Sequence, residues 1–174
     1  MGNGTIHLVC GPVGSGKSTY ARKLASDNAA VVFSMDAWMA KLFAPDIALD
    51  TTLQTMNPAW FAERVDRCES VIYLMAAEML RCGSSVILDL GFIRRQRRDT
   101  AYAFAARHNC SVMFHYVTAE PDARRNRVAS RNKQQGETYS IEVTPQMFDF
   151  AESVFEAPGA KELAGAKVIS TDSE

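Results

Sequence analysis

The stretch Gly11-Pro12-Val13-Gly14-Ser15-Gly16-Lys17-Ser18 has the residue types and the spacing that bind a phosphate group. It fits the pattern G-x-x-x-x-G-K-[ST] at every defined position. Its glycines let the backbone turn closely around an anion, and a following helix would add the positive end of its dipole. Lys17 would reach the β- and γ-phosphates of a nucleotide, and the Ser18 hydroxyl would hold Mg²⁺. The nucleotide-binding residues predicted here are Gly11, Pro12, Val13, Gly14, Ser15, Gly16, Lys17, Ser18 and Thr19.

Two aspartates lie at the ends of apolar runs that predict β-strands. Asp89 ends the run 85–89 and can orient Mg²⁺ beside the phosphate-binding loop, or it can cap a turn. Asp36 follows the run 30–34 and can accept a proton from an attacking hydroxyl, or it can cap the helix that follows. The carboxyl ends of strands in an α/β sheet face the ligand crevice. Both acids are therefore candidates for chemistry.

Three arginines have spacings of three and four residues, which places Arg124, Arg127 and Arg131 on one face of a predicted helix. Such a stripe suits a phosphorylated ligand, because arginines stabilise the charge that spreads over the oxygens of a transferring phosphoryl group. We expect Arg124 to contribute to nucleotide binding, and Arg127 and Arg131 to act on the transferring group. A solvated basic face is the alternative interpretation.

A second basic cluster, 94–98, begins just after the predicted third strand. Its first residue, Arg94, lies at the predicted crevice and could bind an acidic group of a substrate. For Arg97 and Arg98, solvation at the surface is at least as good an interpretation. Aromatic side chains that could line a substrate pocket, or belong to the core, are Trp38, Phe43, Trp60 and Phe92.

Apolar runs alternate with helical patterns along the whole chain. Strands are predicted at 5–10, 30–34, 85–89, 112–117 and 167–170. Helices are predicted after the phosphate-binding loop and at 36–43, 58–81, 94–109 and 121–133, with another that starts at Thr144-Pro145. This order predicts a three-layer α/β/α fold with a five-stranded parallel sheet. We expect residues 1–174 to form one domain, with a small helical lid at about 120–143.

The composition fits a folded enzyme of modest charge. The chain has 174 residues, 47% of them hydrophobic, and a formal net charge of -1, which gives no overall attraction to nucleic acid or to an anionic membrane. The four cysteines form no C-x-x-C pair, which argues against a thiolate zinc site and suits a reducing compartment. No stretch resembles a signal peptide or a membrane span, so a cytoplasmic location is expected. His7 and His115 lie inside predicted strands and are expected to be hydrogen-bonded core residues.

Taken together, these motifs resemble the small P-loop kinases. The resemblance rests on Gly-x-x-Gly-Ser-Gly-Lys-Ser-Thr, on Ser-x-Asp after the second strand, on apolar-Asp-x-Gly-Phe and on Arg-x-x-x-Arg-Asn. The group that it suggests includes the kinase domains of polynucleotide kinase, zeta toxin and chloramphenicol phosphotransferase. The resemblance implies that the third strand lies beside the first and that Asp36 is the general base. It also implies that Arg127 and Arg131 are lid arginines that contact the phosphates of ATP.

The sequence therefore predicts an ATP- and Mg²⁺-dependent kinase that phosphorylates a hydroxyl of a small molecule. One alternative is a P-loop ATPase that acts as a nucleotide-dependent switch. Another is a kinase of nucleic-acid 5′-hydroxyls, which the near-neutral charge disfavours, as does Met39 at the position where polynucleotide kinases have an arginine. The expected partners are ATP and a small hydroxyl acceptor, without nucleic acid or membrane, and the expected assembly is a monomer or weak dimer.

Overall fold

A five-stranded parallel sheet forms the centre of the fold in a computed structural model that describes residues 4–47, 57–134 and 142–172. The strands are β1 (Thr5–Cys10), β2 (Val31–Ser34), β3 (Val86–Asp89), β4 (Ser111–Thr118) and β5 (Lys167–Ser170). Their order is β2-β3-β1-β4-β5, and every neighbouring pair is parallel. The third strand lies beside the first, as the resemblance implied.

Seven α-helices connect and flank these strands in the described residues. They are α1 (Lys17–Asn28), α2 (Met35–Phe43), α3 (Pro58–Arg81), α4 (Arg95–Arg107), α5 (Pro121–Gln134), α6 (Pro145–Val154) and α7 (Ala160–Leu163). Helix α3 has the bounds that the sequence predicts. It begins after Asn57 because the Asn57 side chain accepts hydrogen bonds from the backbone N–H groups of the first turn. Thr144 caps α6 in the same way.

Two apolar layers cover the two faces of the sheet. Leu8 and Leu88 face the layer that α3 and α4 complete, whereas Val9 and Ile87 face the layer that α1 completes. Because successive residues of a strand point to opposite faces, the central strands are buried on both sides. This arrangement confirms the predicted three-layer α/β/α fold.

A buried polar chain joins the sheet to α1. His7 Nδ1 and His115 Nε2 are 3.0 Å apart, and the Tyr20 hydroxyl lies 2.8 Å from His115 Nδ1. Burial lowers the pKa of His7, and burial, helped by the neighbouring His7, lowers that of His115 to about 4. Both histidines are therefore neutral core residues with hydrogen-bond partners, as predicted.

Most differences from the sequence prediction are small and lie at element ends. Strand β2 begins at Val31 and α4 ends at Arg107. One whole element, α7, was not predicted. The segment after α2 contains a short 3-10 helix at Ala44–Asp46. Residues 48–56, between α2 and α3, and residues 135–141 of the predicted lid lie outside the described residues, so the lid boundaries and the single-domain assignment remain predictions. No described helix is both long enough and apolar enough to cross a membrane.

Candidate active site

The phosphate-binding loop lies between β1 and the first turn of α1. Gly14 and Gly16 have φ of 76° and 88°, a left-handed conformation that glycine adopts without strain. Gly11 lies so close to β4 that a Cβ there would be 2.0 Å from the Val117 carbonyl oxygen. The loop therefore requires glycine at these positions, and Gly16 leads directly into the N-terminus of α1. This is a backbone cradle of the kind that binds phosphate.

The side-chain oxygens of Ser18 and Asp89 lie next to each other beside this loop. The Ser18 hydroxyl donates a 2.9 Å hydrogen bond to Asp89 Oδ2. Burial raises the pKa of Asp89, while Lys17 and the Ser18 hydrogen bond oppose that shift. A hydroxyl and a carboxylate are hard oxygen donors that suit Mg²⁺, which takes its other ligands from phosphate and water. Among the described residues no cluster of three or more acidic, histidine or cysteine side chains could enclose a metal ion. The pair therefore fits a metal that arrives with a nucleotide.

Lys17 is the first residue of α1, and its side chain lies over the loop. Its ammonium group donates a 2.8 Å hydrogen bond to the Pro12 carbonyl. Burial lowers the pKa of Lys17, and the nearby Arg131 acts in the same direction, whereas Asp89 and Asp36 oppose the shift. The partly buried ammonium group of Lys17 and the neighbouring guanidinium repel each other unless an anion lies between them. The loop is therefore electrostatically prepared for a phosphate.

Asp36 lies in the first turn of α2, at the carboxyl end of β2. The N-cap of this helix is Ser34, whose hydroxyl accepts a hydrogen bond from the Ala37 N–H at 3.4 Å. The side-chain cap is thus provided by Ser34, not by Asp36. The Asp36 carboxylate is exposed and lines the same cavity as Lys17 and Asp89. Of the two sequence interpretations, the geometry favours a role in the cavity.

Two arginines of α5 line the cavity beside the loop. Arg127 Nη1 donates a 2.7 Å hydrogen bond to the Thr171 hydroxyl, and its Nη2 donates to the Thr171 carbonyl. The Thr171 hydroxyl in turn donates to the Ser15 carbonyl of the loop at 3.1 Å. The Nε of Arg131 is buried, and no hydrogen-bond partner for it lies among the described residues. A buried donor without a partner at a cavity wall is unfavourable unless an incoming ligand accepts its hydrogen bond.

Arg124 departs from its predicted role in nucleotide binding. Its two terminal nitrogens bind Glu152 of α6 at 2.6 Å each, and its Nη1 also donates to the Val13 carbonyl at 3.1 Å. Its Nε donates to the Ala119 carbonyl at 2.9 Å. The side chain is buried and does not line the cavity. The helical spacing correctly placed it near Arg127, but the carboxylate that engages it comes from a later helix. Arg124 therefore supports the phosphate-binding loop from behind.

The cavity beside these groups has a volume of about 440 Å³. An apolar wall that was not predicted also lines the cavity; it consists of Phe61, Ile93, Met147, Phe150 and Phe155. The aromatic residues predicted for a pocket lie elsewhere. Phe92 is buried, Trp38 packs edge-on against Phe33, and Trp60 packs against Phe43 and under the guanidinium of Arg64. Aromatic composition alone could not distinguish wall from core, because that depends on how α3, α6 and the β3–α4 turn meet.

Arg98, for which solvation seemed as good an interpretation as any, is fully buried. Its Nε and Nη2 bind Glu162 at 2.7 and 3.0 Å, and its Nη1 donates to the carbonyls of Phe92 and Glu156. Phe92 has a φ of 40°, an unusual conformation for a residue with a side chain. Arg98 thus holds the two chain segments that present Ile93 and Phe155 to the cavity. Arg94 is near Glu156 and does not line the cavity.

The sequence profile of the AAA domain family matches residues 6–158. The chain belongs to this family. Known structures with the same fold include a candidate kinase from Chloroflexus aurantiacus (TM-score 0.73, 17% identity, covering 99% of this chain and 90% of the other). The Mycobacterium tuberculosis APS kinase CysC, solved with AMPPNP and APS, has a TM-score of 0.66 at 16% identity, with coverage of 100% and 92%. Kti12 of Chaetomium thermophilum, solved with ADP-AlF3, has a TM-score of 0.69 at 15% identity, with coverage of 98% and 90%.

At these identities the comparison shows the fold, which is that of the P-loop kinases. No curated protein matches the chain. The roles of individual residues are therefore inferred from the geometry of the site.

Proposed function

We propose that the protein is an ATP-dependent phosphotransferase that moves the γ-phosphate of ATP to a hydroxyl of a small molecule. The observation that carries this proposal is the convergence of three different groups on one cavity. Lys17 and Arg131 supply positive charge, Ser18 and Asp89 supply a pair of oxygen donors, and Asp36 supplies an exposed carboxylate. Two of the fold relatives were solved with nucleotide analogues, which supports ATP as the nucleotide.

The phosphate-binding loop and Lys17 would hold the β- and γ-phosphates. Arg131 has a free buried donor for a phosphate oxygen, and Arg127 stands beside it on α5. These cations would stabilise the charge on the transferring phosphoryl group. Ser18 and Asp89 would hold Mg²⁺, which neutralises charge on the phosphates when it is bound.

Asp36 is the group in this cavity that can receive the proton of the acceptor hydroxyl. The acceptor oxygen forms a bond to the γ-phosphorus while the bond from that phosphorus to the β–γ bridging oxygen breaks. The hydroxyl proton passes to the Asp36 carboxylate, and ADP leaves with the electron pair of the broken bond. Asp36 and Lys17 line the same cavity and attract each other electrostatically, which supports placing the base and the phosphate site together.

A nucleotide-dependent switch would need the same phosphate site but no acceptor base. The position of Asp36 in the cavity favours transfer to an acceptor, since Ser34 already caps α2. A nucleic-acid kinase would need a basic track for the polymer backbone. The described cavity lining has an apolar wall instead of such a track, which disfavours that function.

The test follows the γ-phosphate itself. Labelled ATP and Mg²⁺ are incubated with the protein and a pool of hydroxyl-bearing metabolites, and the label is located by mass spectrometry. The proposal predicts a phosphorylated metabolite that is absent with Lys17→Ala, a variant that loses the main phosphate contact. Release of all label as inorganic phosphate, at a rate that no metabolite changes, would contradict the proposal and favour the switch.

A further inference from the structure

Two kinds of side chain line the cavity, and their assignment bears on the substrate. The basic ones among the described residues are Lys17, Arg127 and Arg131, which all lie on the loop and on α5. The others include the apolar wall defined above and the Asp36 carboxylate. Under the proposed function, the basic side chains bind ATP. The acceptor must then fit against the apolar wall.

Among the described residues that line the cavity, no basic side chain remains to recognise an anionic acceptor. Among the described residues, Arg124 is neutralised by Glu152 and Arg98 by Glu162, and both are buried outside the cavity. Arg94 is 3.9 Å from Glu156 and also lies outside it. The sequence of the two undescribed internal segments, 48–56 and 135–141, contains no lysine, arginine or histidine. The basic side chains that line the described part of the cavity are therefore those that the triphosphate would already occupy.

An anionic acceptor would face an unfavourable environment against the apolar wall. Its charge would lie beside the Asp36 and Asp89 carboxylates, which repel it. Transfer of an unpaired carboxylate, sulfate or phosphate from water to an apolar wall is costly. A nucleotide or nucleic-acid acceptor would meet the same obstacle.

The apolar wall itself is accessible. Phe150 has 63% of its surface exposed and Phe61 has 40%, although both rings face the cavity. Large apolar side chains next to convergent polar groups are typical of small-molecule sites, where they hold the body of the ligand. The polar contact that such a ligand needs is a hydroxyl placed at Asp36.

We infer that the acceptor is an electrically neutral alcohol with an apolar body. Its apolar body would lie against Phe61, Phe150 and Phe155, with its hydroxyl at Asp36. This inference rests on the proposed function, because it assigns Lys17 and the α5 arginines to ATP. It adds a selectivity that the phosphotransfer reaction alone does not require.

The experiment uses matched pairs of acceptors that differ only in charge. A panel of neutral aryl and alkyl alcohols, such as 2-phenylethanol, is compared with the same compounds bearing a carboxylate, such as 4-(2-hydroxyethyl)benzoate. D-gluconate, adenosine 5′-phosphosulfate and a 5′-hydroxyl oligonucleotide complete the set. Transfer of the labelled γ-phosphate is measured for each. We expect the neutral members to have kcat/KM values at least about tenfold above those of their charged partners.

A matched pair of variants tests the location of the apolar body. Phe150→Gln removes an exposed ring from the cavity wall, and Leu74→Gln removes an exposed apolar side chain of α3 that does not line the cavity. Phe150→Gln is expected to raise the KM for the best neutral acceptor about tenfold, with the KM for ATP unchanged, while Leu74→Gln changes neither.

The possible results separate the inference from the proposed function. Faster transfer to the charged partners, to gluconate, to the phosphosulfate or to the oligonucleotide would overturn the neutral-alcohol class and leave a kinase. An equal effect of Phe150→Gln and Leu74→Gln would overturn the location. Transfer to water alone, whatever acceptor is present, would overturn both the inference and the proposed function.

Discussion

The ion pair between Arg124 and Glu152 gives the sharpest test of how the phosphate-binding loop is supported. Glu152→Gln keeps the shape of the side chain but removes the charge that neutralises a guanidinium with a side chain only 5% exposed. Breaking a buried pair from one side costs about 3–5 kcal/mol. Here Glu152 is 29% exposed, and Arg124 keeps its bonds to the Ala119 and Val13 carbonyls. We therefore expect a loss of about 2–3 kcal/mol in the free energy of unfolding.

The chain provides a matched control one turn earlier on the same helix. Asp149 of α6 pairs with Arg125 of α5 at 2.7 Å, but both side chains are exposed, at 61% and 48%. Exposed pairs contribute about 0–1 kcal/mol, so Asp149→Asn should change stability by less than about 0.5 kcal/mol. Urea denaturation of wild type and both variants measures the differences in the free energy of unfolding. The comparison requires that this free energy falls with urea concentration at the same slope in all three proteins.

The same two variants distinguish a supporting Arg124 from a nucleotide-binding one. If Arg124 supports the loop through the Val13 carbonyl, Glu152→Gln should weaken ATP binding or leave it unchanged. If Arg124 were a phosphate ligand held back by Glu152, the substitution would free it and tighten ATP binding. An ATP dissociation constant that falls in Glu152→Gln, together with a stability equal to that of Asp149→Asn, would refute the supporting role.

Two further predictions concern buried groups. The pKa of His115 falls from 6.5 to about 4 on folding, so the unfolded chain binds more protons between these pH values. The free energy of unfolding should therefore decline by about 2–3 kcal/mol as the pH falls through this range. Urea denaturation should show a smaller decline in His115→Gln but not in His108→Gln. An equal dependence of the free energy of unfolding on pH in wild type and His115→Gln would contradict this prediction. Burial raises the pKa of Cys10 to about 11. Iodoacetamide at pH 8 should therefore label the exposed Cys82 and leave Cys10 unmodified in the folded protein, which peptide mass mapping would measure. Labelling of Cys10 in the folded protein would contradict its burial.

The sequence predicts most of the fold because its local signals agree with one another. The phosphate-binding loop follows an apolar strand, and the Asn57-Pro58 pair marks the start of α3 as the structure has it. The strand that ends at Asp89 and the strand that precedes Asp36 could be recognised from their apolar residues, and parallel packing then brings the ends of both strands to one edge of the sheet. These features depend on neighbouring residues in sequence.

The parts that the sequence could not predict depend on partners far along the chain. Helical spacing placed Arg124 beside Arg127, but Glu152 lies 28 residues further on and only the packing of α6 brings it near. Arg98 and Glu162 are 64 residues apart, and α7, which contains Glu162, is a single short helix. The apolar wall of the cavity is likewise assembled from three separate segments. Spacing alone identifies no such partner.

Substitution of Asp36 tests most directly whether this residue is the general base. With the best acceptor found, the rate of γ-phosphate transfer in a single turnover is measured for wild type, Asp36→Asn and Asp46→Asn. Asp46 is the control because it is an exposed aspartate that does not line the cavity. The dissociation constant for ATP is measured for each. We expect Asp36→Asn to slow transfer by about 100-fold or more with ATP binding retained, and Asp46→Asn to match wild type. Transfer at the wild-type rate in Asp36→Asn would contradict the assignment of Asp36 as the base.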